Sequence, residues 1–214
     1  MYSRPTRSEA QRHCRIFCRP IRTRFGDVAV RPISPTDDGL VQAFVAGLSG
    51  TSRYYRFFQP LKSLPQSMLD RLVRVDFASH VAVVALADVD GAQSIVAEAR
   101  YVRHADGDTA EIALAVADDW RRRGIAAELL DMLQLIAGAA GVTRLIGECL
   151  AINTAFLRFA SSAGFRITAD GDDCGLRRVE KNLDEDAAFS DSTHMSAWTG
   201  GVDAMCAFAP ESRW

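Results

Sequence analysis

The chain has 214 residues, 48% hydrophobic and 24% charged, with a formal net charge of -2. That length buries a substantial core, enough for one domain of roughly 150 residues plus extensions, and the composition is that of an ordinary soluble globular protein. The near-zero charge argues against a protein built to coat nucleic acid, although seven arginines fall in the first 24 residues against one acid, Glu9.

Met1 to Arg12 is polar and reads as loose. "RIFCRPIRTRF" reads as an added edge strand, with Pro20 confining it to an edge. "DVAVRPIS" is a strand, and "PTDDGLVQAFVAGL" a helix capped by Thr36 or Asp37, with Leu40, Val41, Phe44, Val45 and Leu48 on its apolar face. "SRYYRFF" and "SMLDRLVRVD" continue as helical or irregular pieces broken by Pro60 and Pro65. "HVAVVALAD" and "SIVAEARYVR" are β-like runs joined by the turn "DVDGAQ", and "HADGD" turns into a third, "TAEIALAVA". The three form an antiparallel meander.

After Arg123, Ile125, Leu129, Met132, Leu133, Ile136 and Ala140 recur at helical spacing, and Gly141 supplies a stop. "TRLIGECL" is the next strand. Asn153 caps a helix carrying Phe156, Phe159, Ala160 and Ala163, ended by Gly164. "FRITAD" and "LRRVEKNL" flank "GDDCG" as a final hairpin. From Asp184 the chain loses periodicity and reads as a mobile tail. The order predicts a mixed α/β fold with helices on both faces of one mostly antiparallel sheet. The segment from Thr109 to Leu150 supplies one parallel β-α-β crossover.

Cys14, Cys18, Cys149, Cys174 and Cys206 form no CxxC pair and have no His at zinc-ligand spacing, so reduced thiols and no metal are expected. No apolar run reaches signal-peptide length in the arm or the ~20 residues of a membrane span. An Arg-rich, acid-poor leader can mimic a transit peptide, but the expectation is a cytoplasmic protein with no membrane partner.

"DDWRRRGIAAELL" gathers three cations where a helix start already carries about half a positive charge, at a cost of roughly 0.3–1 kcal/mol each. Two readings follow: a solvated basic loop, or a seat for an anion on the free N–H groups of the first turn. Gly124 lets backbone approach a ligand, Ala126 stays small, and Arg121, Arg122 and Arg123 would neutralise a di- or triphosphorylated ligand.

Arg121-x-x-Gly124-x-Ala126, placed after a strand and opening an amphipathic helix, resembles the Q/R-x-x-G-x-G/A signature of the GNAT superfamily of N-acetyltransferases. The resemblance runs from Asp27 to Leu183, which makes residues 1–26 an Arg-rich extension and 184–214 a tail. "RPISPTDD", "SRYYRFF", "ARYVRHADGDTAEIALAV" and "NTAFLRFASSAGF" are further similar to the bacterial protein-lysine acetyltransferase branch. Some of that branch carry a fused ligase-like or nucleotide-sensing domain, which is not expected here. The resemblance implies acetyl-CoA as co-substrate. Pantetheine would pair with the main chain of Leu114, Ala115 and Val116, and amides from Arg122 through Arg123, Gly124, Ile125 and Ala126 to Ala127 would hold the pyrophosphate. Asn153 would reach the pantetheine arm. Leu114 and Val116 could equally be core, and Asn153 merely a cap.

Acetyl transfer needs a neutral amine, and a lysine with pKa near 10.4 requires about 4–5 kcal/mol to deprotonate at pH 7. A positioned carboxylate is the usual remedy. Glu111 in "AEIALAV" and Glu148 in "LIGECL" lie in apolar strands, where burial would suit a base. Alternation puts Glu111 on a face with the small Ala113 and Ala115. The protein-acetylating branch carries its base at the position of Glu111, and an amino-terminal acetylating branch at that of Glu148; Glu111 is favoured. The alternative for either is a structural salt bridge to Arg100 or Arg103, and Glu98 is a weaker third candidate. Many members place a tyrosine seven residues after the capping Asn to protonate the leaving thiolate. Ala160 stands there, which leaves solvent or Cys149 for that step; Cys149 as an acetylated nucleophile is disfavoured. "SRYYRFF" either walls the acceptor site or, the favoured reading, plugs the first helices onto the sheet. His80 and His104 have no triad context. The acceptor is expected to be a protein lysine or a small amine; a non-catalytic acyl-CoA-sensing module is the rival of another class. DNA binding through the arm would predict steep salt dependence and is not expected.

Overall fold

Strand burial follows position in the sheet. On β2 (Gly26–Pro32), Val28 and Val30 are buried while Asp27 and Ala29 are exposed, the alternation of a strand covered on one face. On β3 (His80–Val89) every residue from Val81 to Ala87 is buried, and on β4 (Ala92–Arg103) every residue from Ile95 to Tyr101, as in strands covered on both faces. The computed structural model describes residues 19–23, 26–169 and 174–183; the expectations for the chain before residue 19 and for the tail from residue 184 lie outside the described residues.

Among the described residues the strands β1 (Arg19–Thr23), β2, β3, β4, β5 (Thr109–Val116), β6 (Arg144–Leu150), β7 (Arg166–Ala169) and β8 (Leu176–Asn182) form one sheet in the order β1-β2-β3-β4-β5-β6-β8-β7. Every neighbouring pair is antiparallel except β5–β6. The edge strand around Pro20, the meander, the crossover and the last hairpin all stand where the sequence put them. The β3–β4 turn has Asp90 at φ 54° and Gly91 at φ 80°, both left-handed as a two-residue hairpin requires.

Among the described residues five α-helices cover the sheet: α1 (Asp38–Gly47), α2 (Gly50–Phe57), α3 (Gln66–Val73), α4 (Ile125–Ala139) and α5 (Thr154–Ser162). Two arginines of β4 mark the two faces. Arg100 donates to the Leu72 carbonyl of α3 at 3.1 Å, and Arg103, on the opposite face, to the Ala140 carbonyl at the end of α4 at 3.0 Å. The start of α1 differs from expectation. Ser34 caps a short 3-10 turn, and Asp37 is turned back, accepting from the Ser34 amide at 2.7 Å and from both terminal nitrogens of Arg31 at 2.7 Å. Asp37 is buried at 3% exposure; a bidentate arginine outcompetes the cap for its carboxylate.

Candidate active site

The parallel pair that the crossover creates is short. Thr109, Ala110 and Glu111 of β5 align with Arg144, Leu145 and Ile146 of β6, and no further pair follows. Beyond that point β6 stays with β8 through Leu150, and β5 stays with β4 through Val116. The two strands therefore splay, and among the described residues the β6-facing main-chain edge of Ala113–Val116 has no strand partner, the kind of edge an extended ligand can pair with. Leu114, Ala115 and Val116 lie on this edge, half-buried against the core.

The open edge leads to the turn before α4. Arg122 adopts φ 59° and Gly124, the N-cap residue, φ 84°, and α4 starts without a side-chain cap. A Cβ on Gly124 would meet nothing within 4 Å, so the space over the turn is free. First-turn amides of Ile125, Ala126 and Ala127 have no acceptor within the helix. Uncapped amides beneath open space suit an anion, so the residues present fit a coenzyme A diphosphate. The arginine side chains divide the work. Arg121 pairs with Asp118 at 3.2 Å and donates to the Ser52 hydroxyl at 2.7 Å. Arg123 stacks over the Trp120 ring, 4.4 Å from its centroid, and donates to the Asp119 carbonyl. Two of the three thus brace the turn, which accounts for cations at a helix start without assigning each to a ligand.

Across the notch lies a cavity of about 200 Å³ lined by His104, Glu111, Ile146, Gly147, Glu148 and Arg178. Both candidate bases reach it. The expectation that they are buried fails, since Glu111 and Glu148 are exposed. Among the described residues, helices α1 to α3 pack mainly against β4 and β5, and both glutamates lie at the margin of that cover. The alternative of a salt bridge from either glutamate to Arg100 or Arg103 is not what forms: Arg100 pairs with Glu98, and Arg103 with main-chain carbonyls. His104 and Arg178 were given no role by sequence reasoning. Arg178 enters because β8 inserts beside β6 and sets it opposite Glu148. Alternation in "LRRVEKN" fixes its face, but the register that supplies its neighbours is tertiary.

Of the three candidate glutamates, Glu98 is the buried one, 3% exposed. Burial alone would raise its pKa, but Arg100 and Arg56 outweigh that and hold it below the usual carboxylate range. Arg100 also bonds His80 Nε2 at 2.9 Å. A guanidinium only donates, so Nε2 accepts and the ring is neutral. In agreement, burial and the Arg100 charge push the His80 pKa down to about 4. The aromatic-plug reading of "SRYYRFF" also needs correction. α2 buries Ser52 and most of Arg56, while Tyr54 is 41% and Phe58 43% exposed. Polar tertiary partners, absent from the local pattern, decided which side of this helix turned inward.

Asn153 caps α5, its Oδ1 accepting from the Phe156 amide at 3.2 Å. Ala160 is buried on that helix and carries no acid. Cys149 lies on the opposite strand face from its neighbour Glu148, and burial pushes its thiol pKa up, against a nucleophilic thiolate. Among the described residues no group of three or more His, Cys, Asp or Glu is placed to hold a metal, and no helix is long and apolar enough to cross a membrane.

The model of the Acetyltransferase (GNAT) family matches residues 51–165, from α2 to the end of α5. The chain belongs to the GNAT acetyltransferase family. An acetyltransferase of Pseudomonas aeruginosa is 30% identical over 146 residues, 68% of this chain and 78% of that protein. Acetyltransferase Pat of Mycolicibacterium smegmatis is 32% identical over 148 residues, 68% of this chain but 43% of that protein. The GNAT domain of S. lividans PAT superposes with a TM-score of 0.70 at 29% identity, covering 78% of this chain and 97% of that one. This GNAT acetyltransferase thus matches less than half the length of Pat but nearly the whole of the PAT GNAT domain.

Proposed function

We propose that this acetyltransferase moves an acetyl group from acetyl-CoA to the side-chain amine of a protein lysine by direct attack, with Glu111 as general base. The observation that carries the reading is the splay of β5 from β6, with an anion seat at one end and a two-carboxylate cavity at the other. Amides from Arg122 to Ala127 grip the diphosphate. The open edge at Leu114, Ala115 and Val116 pairs with the pantetheine amides, and Asn153 flanks the same arm while capping α5. Glu111 takes the ammonium proton, directly or through one water, and the neutral amine attacks the thioester carbonyl. The coenzyme A thiolate is a good leaving group and takes its proton from solvent, so Ala160 does not bar turnover. The cavity, about 200 Å³, is smaller than the roughly 300–1,000 Å³ of sites that enclose whole small molecules. That favours a single side chain as its occupant, and the likeness to the PAT proteins supports a protein lysine. Glu148 is the alternative base.

The test is thiol release from acetyl-CoA, with acetylated sites mapped after incubation with a cell lysate. Glu111→Gln is expected to lower the rate about 10²–10⁴-fold and leave acetyl-CoA binding by calorimetry intact. Loss through Glu148→Gln instead would move the base to β6. Turnover on small amines alone would replace the lysine acceptor, and binding without turnover on any acceptor would make the chain a sensor.

A further inference from the structure

Arg178 lines the cavity of the two candidate bases, and its charge is unspent. The register of the last three strands places it, opposite Glu148 of β6 on one side and Thr168 of β7 on the other. Partners across an antiparallel pair point to the same side of a sheet, so Arg144, Glu148, Arg166, Arg178 and Glu180 share one face. The alternate residues Leu145, Cys149 and Val179 are buried, which turns the charged face outward. Two of its three arginines are engaged, since Glu180 pairs with Arg166 at 3.4 Å and with Arg144 at 3.9 Å. Arg178 is exposed and has neither an ion pair nor a hydrogen bond among the described residues, although a glutamate stands across from it. Opposite charges so placed ordinarily draw together; here the cavity of about 200 Å³ lies among them.

The cavity thus offers both signs of charge to whatever enters. Glu111 and Glu148 suit an ammonium, and Arg178 presents a planar fork that can hold a carboxylate at two points. Room for one side chain admits the lysine and leaves its chain neighbours at the rim, where Arg178 is exposed. In an extended segment residues advance about 3.3 Å each, residues two apart face the same way, and adjacent strands lie about 4.8 Å apart. An acid one or two positions from the lysine therefore comes within reach of a guanidinium one strand away from Glu148. The main chain of Arg178 is paired on both sides, so the cation stands on the sheet and not on a loop.

Resting on a protein lysine as the acceptor, we infer that Arg178 determines specificity, selecting lysines that have an aspartate or glutamate within two residues. The same charge turns away segments whose lysine is flanked by further cations, a discrimination that two carboxylates alone would not make.

The experiment uses the full chain, acetyl-CoA and capped, amidated pentapeptides whose central lysine is flanked on both sides by glutamate, alanine or arginine, so that any carboxylate comes from a side chain. The readout is the ratio of kcat/KM between peptides. In the unaltered chain glutamate flanks are expected to exceed arginine flanks about tenfold or more, chiefly through KM. Arg178→Gln should lower that ratio at least about fivefold, and Arg178→Glu should turn the preference toward arginine flanks. A ratio that stays the same in all three proteins, or no preference in the unaltered chain, overturns the inference, while turnover of the peptides leaves the lysine acceptor standing. If no peptide turns over although acetyl-CoA binds in calorimetry, the lysine acceptor and this inference fall together. If Arg178→Glu does not fold beside Glu148, the ratio in Arg178→Gln decides alone.

Discussion

Mild acid should destabilise this protein through His80. The His80 ring accepts a bond from Arg100 at 2.9 Å, and burial with that neighbouring charge lowers its pKa from 6.5 to about 4. The unfolded chain thus takes up a proton near pH 6.5 that the folded chain refuses until about pH 4. Stability from this group is whole above the upper value and declines as pH falls through the window. At about 1.4 kcal/mol per unit the whole window is worth roughly 3 kcal/mol. His80 is only half-buried, and solvent screening reduces this to about 1–2 kcal/mol, of which about 1 falls between pH 7 and 5. Glu98 adds nothing in that interval, because a carboxylate held low by Arg100 and Arg56 loses its contribution only below the ordinary range. The assay is urea unfolding at pH 7 and pH 5 for the unaltered chain and for His80→Gln, whose amide oxygen still accepts from Arg100 but cannot ionise. The unaltered chain should lose about 1 kcal/mol more than the variant. Parallel profiles would refute the reasoning and place the Arg100–His80 contact outside the energetics of folding.

Two further outcomes are expected. Ser52→Ala strips Asp118 of a donor and Arg121 of an acceptor, both at 2.7 Å, and should lower stability by about 1–3 kcal/mol in chemical denaturation. A neutral result would show that water replaces the hydroxyl. Gly124→Ala and Gly141→Ala sit near opposite ends of α4 at φ 84° and 81°, both with free space for a Cβ. Each should cost roughly 1–2 kcal/mol of left-handed strain, but only Gly124→Ala should also weaken acetyl-CoA binding in calorimetry. Equal binding in the two variants would remove the diphosphate from this turn.

Much of the site was legible because it is local. The Arg121-x-x-Gly124-x-Ala126 turn, the Asn153 cap and the strand carrying Glu111 are short-range patterns, in which a glycine at positive φ or an oxygen three residues before a helical amide has few alternatives. The reading of Glu111 and Glu148 went astray on burial, since an acid flanked by apolar residues looks interior whether or not a helix lies over it. Glu98, in the same kind of setting on β4, is the one that a helical layer covers. In "SRYYRFF" the aromatic content pointed one way and the long-range partners of Ser52 and Arg56 the other.

By itself, then, the amino-acid order determined the succession of elements, the layer architecture and the glycine turn before α4, because each follows from hydrogen-bond geometry and side-chain period within a few residues. Only the tertiary structure decided where β5 and β6 part, which acid is solvated and which is locked between arginines, and that His104 and Arg178 meet the two glutamates. Those outcomes depend on strand register and on how far a helical layer extends, and both are set by contacts between residues tens of positions apart.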